Sequence, residues 1–186
     1  MAIINGTPGD DFLIGTPADD QIQAFGGNDV VNAGDGNDTV EGGTGHDNLR
    51  GEGGNDVLLG GDDDDYLRGG VGDDFIDGGA GWDRVAYVGA TSGITVDLSL
   101  VGVAQDTGSQ GFDTLVGIEH ASGTEFDDVI TGNDGDNWLW GENGNDTINA
   151  GGGNDLVEVG PGNVVSDGGS GSTASRSGPT MRLSRA

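Results

Sequence analysis

The chain has no cysteine and no lysine; its six cationic side chains are all arginine, aromatics make up 5% and hydrophobic residues only 32%. Without cysteine there is no disulfide framework, no thiolate nucleophile and no thiolate ligand for zinc. Nothing approaches the run of about 18 apolar residues that a membrane helix needs. The start, MAIINGTPGDD, lacks both the basic and the apolar region of a secretory leader, so export would need another signal, or one outside the given residues. With so few apolar residues, an ordinary layered core would be poorly filled over 186 residues.

What is present is glycine and negative charge. Glycine accounts for 41 residues, and 33 acids against six arginines leave a formal charge of −27. No acid follows Asp167, so residues 1–167 carry 33 acids and three arginines, a formal −30. A compact state with that charge repels itself. It also excludes nucleic acid as a natural partner, because phosphate neutralisation needs clustered Lys and Arg. Cations are the expected partners.

Self-similarity organises the chain. In blocks of nine from Gly6 it reads GTPGDDFLI, GTPADDQIQ, AFGGNDVVN, AGDGNDTVE, GGTGHDNLR, GEGGNDVLL, GGDDDDYLR, GGVGDDFID and GGAGWDRVA, without an insertion. Position 6 is always aspartate: Asp11, Asp20, Asp29, Asp38, Asp47, Asp56, Asp65, Asp74 and Asp83. Position 8 is always aliphatic, from Leu13 to Val85, and position 4 is glycine except at Ala18 and Asp63. The register returns from Gly123 to Glu158 with Asp128, Asn137, Asp146 and Asp155 at position 6. In the next block, VGPGNVVSD, Val164 stands where the acid should be, and the array fades.

Each position has a physical job. The glycine half supplies turns that need positive φ or close backbone approach. Positions 7 to 9 form a three-residue strand whose middle side chain points inward and whose flanking side chains point out. Two nonapeptides therefore complete one coil, and the predicted fold is all-β: a flattened right-handed parallel β-roll, or β-solenoid, around a thin aliphatic core. Asp and Asn also suit turns for purely local reasons, but that alone would make Asp, Asn, Ser and Gly interchangeable at position 6. Asparagine instead scatters at position 5 (Asn28, Asn37, Asn55, Asn145, Asn154).

Stacked carboxylates and glycine-exposed carbonyls offer only oxygen, which selects a hard cation, and a wholly protein cage suits calcium better than magnesium. One ion between each stacked pair of aspartates gives roughly nine or ten calcium ions. Because so thin a core cannot offset the chain entropy of this much glycine, folding is expected to depend on the ion.

The array GGxGxDxUx, over residues 6–86 and 123–158, resembles the repeats-in-toxin (haemolysin-type) family of secreted calcium-binding proteins. The resemblance implies a secreted, extracellular module within a larger bacterial polypeptide, supporting its export, folding and stability, with no enzyme activity of its own. The long C-terminal export signal that the family implies has no room in the present tail.

Four segments follow: a first repeat block at 1–86, a non-repeat connector or flanking strands at 87–122, a second block at 123–167, and a disordered tail or vector-derived segment at 168–186. Within the connector, ITVDLSL alternates like a strand; Gly78 to Gly123 spans 45 positions, five nonapeptides, so the solenoid has room to continue beneath it. Trp138 and Trp140, at positions 7 and 9 of one repeat, point to the same outer face and form a candidate ligand face for polysaccharide or a cell-surface protein; coverage by the connector is the plainer alternative. His46 and His120 have no sequence-local partner suggesting a triad or a zinc site, and the serines show no nucleophile-elbow pattern.

Overall fold

The computed structural model describes residues 1–162, 164–168, 173–177 and 181–184. Apart from a 3₁₀ turn at Gly108–Gln110, every regular element among them is a strand, and no helix is long and apolar enough to cross a membrane. The chain is a parallel β-roll, as the period demands.

Strands pair with the strand 18 residues on, as in Ile22↔Val40 and Val31↔Leu49. Successive nonapeptides therefore alternate between two walls. The first wall holds Ile3–Asn5, Gln21–Gly26, Thr39–Thr44, Val57–Asp62, Phe75–Ala80 and Phe112–Val116 in parallel, and Ala104–Asp106 closes it antiparallel. The second wall has nine strands and runs from Phe12–Ile14 through Arg84–Ala86, His120–Ser122 and Trp138–Trp140 to Ala174–Ser177. A third sheet starts at Thr95–Asp97 and continues through Val129–Thr131, Thr147–Asn149 and Val164–Asp167 to Met181–Ser184.

Position 8 builds the core. Val31, Val40, Leu49, Leu58, Leu67 and Ile76 are wholly buried, as are Ile130, Leu139 and Val157 in the second block. Strands in the interior of the first block are six residues long rather than three, because positions 2 and 3 also pair between coils, as in Phe25↔Gly43 and Gly26↔Thr44. Glycine permits this at position 2. At Gly61 φ is +124°, and a Cβ there would lie 2.0 Å from the carbonyl oxygen of Gly43.

The interruption is threaded into the roll. On the second wall Arg84 pairs with His120, 36 residues on and thus two coil lengths. On the first wall Phe75 pairs with Thr114, 39 residues on. The spare length leaves the stack after Ala86, and its alternating ITVDLSL buries Ile94, Val96 and Leu98 while heading the third sheet. Gln105 fastens this excursion, its side-chain oxygen accepting from the Asp97 amide at 2.6 Å and its Nε2 donating to the Asp97 carbonyl at 3.2 Å. Within 168–186, expected to be disordered, residues 174–177 and 181–184 run as strands paired with Leu156–Val159 and Val164–Asp167; the remainder of that expectation lies outside the described residues.

Candidate functional site

The turn between coils ends at position 6, where the backbone is spent on the sheet: the Asp11 carbonyl accepts from the Val30 amide at 2.9 Å and the Asp47 carbonyl from the Tyr66 amide at 2.8 Å. The side chain then joins coils from the other direction. The backbone N–H of each Asp donates to Oδ1 of the Asp one coil on: Asp11 to Asp29 at 2.7 Å, Asp29 to Asp47, Asp47 to Asp65 and Asp65 to Asp83 at 2.8 Å. Asp20, Asp38, Asp56 and Asp74 form a second ladder in the same way. Asp128 N–H to Asp146 at 3.1 Å and Asn137 N–H to Asp155 at 3.0 Å continue the pattern in the second block. All thirteen candidate ligands thus lie on stacked ladders, and all but Asp11 are buried.

Oδ1 is used; Oδ2 is the informative atom. Among the described residues, Oδ2 of Asp29, Asp38, Asp47, Asp56, Asp65, Asp74 and Asp83, and of Asp146 and Asp155, is buried and accepts no hydrogen bond. A buried, unsatisfied carboxylate oxygen is costly, and burial drives these acids away from their ionised form. It pushes the carboxyls of Asp47, Asp56, Asp83 and Asp146 up to about 6 and those of Asp65 and Asp74 up to about 7. Stacking adds to the strain. Near the roughly 4.8 Å strand spacing, two ionised carboxylates such as Asp56 and Asp74 repel by about 3 kcal/mol at an effective dielectric of about 20.

Asp20 behaves differently: the Ala2 amide, with help from Thr16, holds its carboxyl below the usual range. Burial raises Asp128 even though Thr124 and Ile94 donate to it.

A cation would relieve these oxygens, and their chemistry fits calcium. They are hard, anionic, repeated once per nonapeptide and set beside glycine-exposed carbonyls: a Cβ at Gly42 would fall 2.3 Å from Asp47 Oδ2 and 2.6 Å from the Gly60 carbonyl oxygen. Among the described residues no three acidic or histidine side chains gather at one point. An ion between coils would therefore draw its remaining ligands from turn carbonyls, which fits calcium's tolerance for mixed oxygen shells.

Two further acids, Asp113 and Glu119, lie on the ladders. Asp113 Oδ1 accepts from the Asp74 amide at 3.1 Å, and Glu119 Oε2 accepts from the Asp83 amide at 3.0 Å. Glu119 stands 36 residues after Asp83, with Gly117 and Ala121 at the matching positions 4 and 8, so the period itself pointed to it. Asp113 lies 39 residues after Asp74, out of phase, and only the fold brings it there.

Position 5 has a ladder of its own, running in the opposite sense. Asp10 Oδ1 accepts from the Asn28 amide at 2.8 Å, Asn28 Oδ1 from the His46 amide at 2.9 Å, and Asn37 Oδ1 from the Asn55 amide at 2.8 Å. This ladder is exposed and needs only an acceptor, so Asn serves as well as Asp, and His46 is simply one of its rungs.

Trp138 and Trp140 do leave the same outer face. Each already has an intrachain partner: the Trp138 ring meets His120 edge-on at 5.0 Å, and the Arg84 guanidinium lies 5.3 Å from the rings of both Trp140 and Tyr66. Trp82 packs on the other side of His120 at 5.2 Å. Of the connector, His120 packs on Trp82 and Trp138, and Ser122 stands opposite Trp140 across the strand pair.

The model of the RTX calcium-binding nonapeptide repeat, in four copies, matches the chain at residues 5–40, 33–67, 41–76, 59–87 and 122–157, together well over half of its length. No curated protein matches it.

Proposed function

The chain belongs to the family of RTX calcium-binding nonapeptide repeats, and we propose that it is the calcium-dependent folding module of a larger secreted protein, a β-roll that binds ions rather than performing catalysis. The observation that carries this is the set of nine buried carboxylate oxygens without a hydrogen-bond donor. A chain that places them in register at every coil, with a formal charge of −27, opposes its own collapse until cations balance them. Bound calcium supplies that balance and inner-sphere ligation of the orphaned oxygens. Position 6 fixes the carboxylates, position 1 keeps a small residue, glycine or alanine, beside them, and position 8 adds the thin core that makes the closed coil worthwhile. Inside a cell, where free calcium is scarce, the polypeptide stays extended for export; outside it coils and supports the folding and stability of whatever it is joined to.

Calcium titration followed by circular dichroism tests this. The expected result is little β signal in EGTA and a cooperative rise with a midpoint near 10⁻⁴ to 10⁻³ M, the range of extracellular modules, with magnesium unable to substitute. The same β signal with and without calcium would sink the proposal.

A second reading, an adhesion role, is favoured by one face. The side chains of Trp82, Trp138 and Trp140, with Arg84 and His120, gather on the second wall, and Arg50 and Arg68 lie on the same wall. Half-exposed indoles beside guanidinium groups suit an acidic polysaccharide. Glycan-array binding that disappears in the Trp138→Ala plus Trp140→Ala variant is the expected result; undiminished binding removes this reading.

A further inference from the structure

The residue four before each position-6 side chain decides whether its second oxygen is open. From Phe25 to Gly79, position 2 has φ between +77° and +124°, and from Asp29 to Asp83 every Oδ2 lacks a donor. Glu142 and Gly151, at +58° and +88°, stand in the same relation to Asp146 and Asp155. Where position 2 lacks positive φ, its amide turns onto the side chain. Thr7 N–H donates to Asp11 Oδ2 at 2.5 Å, Thr16 N–H to Asp20 Oδ2 at 2.6 Å, Thr124 N–H to Asp128 Oδ2 at 2.6 Å, and Asn133 N–H to Asn137 Oδ1 at 2.8 Å.

In the three threonine cases the hydroxyl adds a second bond, at 3.0 Å to Asp11 Oδ2, 2.8 Å to Asp20 Oδ2 and 2.9 Å to Asp128 Oδ1. Asp11, Asp20 and Asp128 each open a ladder. At the far end of the second ladder, the buried Thr107 hydroxyl donates to Asp113 Oδ2 at 2.9 Å.

We infer that these threonines are hydrogen-bond caps that close the ladder ends to calcium, and that Asn133 closes one interior rung, Asn137, in the same way, so that ions enter only at the nine open rungs. The inference rests on the reading that the ladders bind calcium. Its physics is direct: an amide or hydroxyl proton occupies the lone pair that a cation would use and presents positive charge to it. A capped end rung satisfies its buried acid with protein donors, where no further coil exists to complete an ion's shell. The chain carries its own control. Of the thirteen position-6 side chains only Asn137 is neutral, and it sits on a capped rung, while every open rung keeps its carboxylate.

The test compares Asp20→Asn with Asp56→Asn, and Asp128→Asn with Asp146→Asn, in the full chain. Bound calcium is counted by equilibrium dialysis with atomic emission, and folding is followed by circular dichroism. Asparagine keeps one acceptor for the cap, as Asn137 does, and gives up the carboxylate's second set of bonds, so Asp20→Asn and Asp128→Asn are expected to retain the parent's ion count and a midpoint within about twofold. Asp56→Asn and Asp146→Asn are each expected to lose at least one ion. Equal loss in capped and open variants overturns the inference, and the Asp128 pair decides if Asp20→Asn fails to fold. A parent chain that binds no calcium would instead defeat the proposed function itself.

Discussion

The two repeat blocks share one wall and part at the other. The second wall continues strand upon parallel strand from Phe12–Ile14 to Ala174–Ser177, while the parallel run of the first wall ends at Phe112–Val116 and the third sheet takes over from Thr95–Asp97. The coil length is therefore kept on one side only. It is 36 residues from Arg84 to His120, two full coils, and 39 from Phe75 to Thr114, where the extra residues meet no following parallel strand. The carboxylates divide in the same way: among the described residues, seven unpartnered Oδ2 atoms run unbroken from Asp29 to Asp83, against two in the second block, at Asp146 and Asp155. An uninterrupted stack multiplies open rungs; each new start of a ladder, at Asp11, Asp20 and Asp128, costs one to a cap.

Substitutions can break or sharpen this contrast. The largest effect is expected from Gly51→Val in the unbroken stack. A Cβ there lies 2.1 Å from Asp56 Oδ2 and 2.6 Å from the Gly69 carbonyl oxygen, so calcium should no longer induce the β signal in circular dichroism. Gly9→Val at the first turn, where nothing lies within 4 Å, should leave that signal intact.

Next come Leu49→Ala and Leu139→Ala, one in each block and both wholly buried. Each should cost about 2–5 kcal/mol in denaturant unfolding at saturating calcium. A single shared transition is expected, since the second wall joins the blocks; two separable transitions would show that sharing a wall does not couple them.

A smaller, graded effect is expected for the acids. Asp47→Ala, with Asp29 and Asp65 stacked on either side of it, should raise the calcium midpoint and blunt its cooperativity more than Asp146→Ala, and Asp146→Ala more than Asp11→Ala. Equal midpoints for Asp47→Ala and Asp11→Ala would refute shared binding between coils. The smallest effect belongs to Arg84→Ala. Its guanidinium lies over Tyr66 of the first block and Trp140 of the second, and its loss should cost about 0.5–2 kcal/mol, read from the same unfolding curves.

Much of this was legible beforehand because a repeat needs only its neighbours to define it. Position 8, from Val31 to Val85, reads as core and is core; position 6 reads as a stacked ladder and is one. The ends and the interruption were harder. Glu119 keeps the period but changes the residue type, so it falls outside the aspartate pattern. Asp113 lost the period as well. The position-5 ladder was visible as scattered Asn and Asp, but its meaning needed the 18-residue stacking that brings Asn28 Oδ1 to the His46 amide. The role of Thr7, Thr16 and Thr124 rests on the sign of φ at position 2, which a residue name does not specify: Phe25 and Glu52 adopt positive φ although they are not glycine.

The sequence by itself determined the coil, the alternation of walls, the aliphatic core and the preference for a hard cation, because a nine-residue period places the same side chain in the same surroundings many times over. Only the tertiary structure decided which carboxylate oxygens stay open, which are capped, and which wall carries the stack past residues 87–122. Those outcomes depend on which amide or hydroxyl lies within about 3 Å of a given oxygen, and that distance is set where coils begin, end or lose register, the places at which periodicity stops predicting the neighbours.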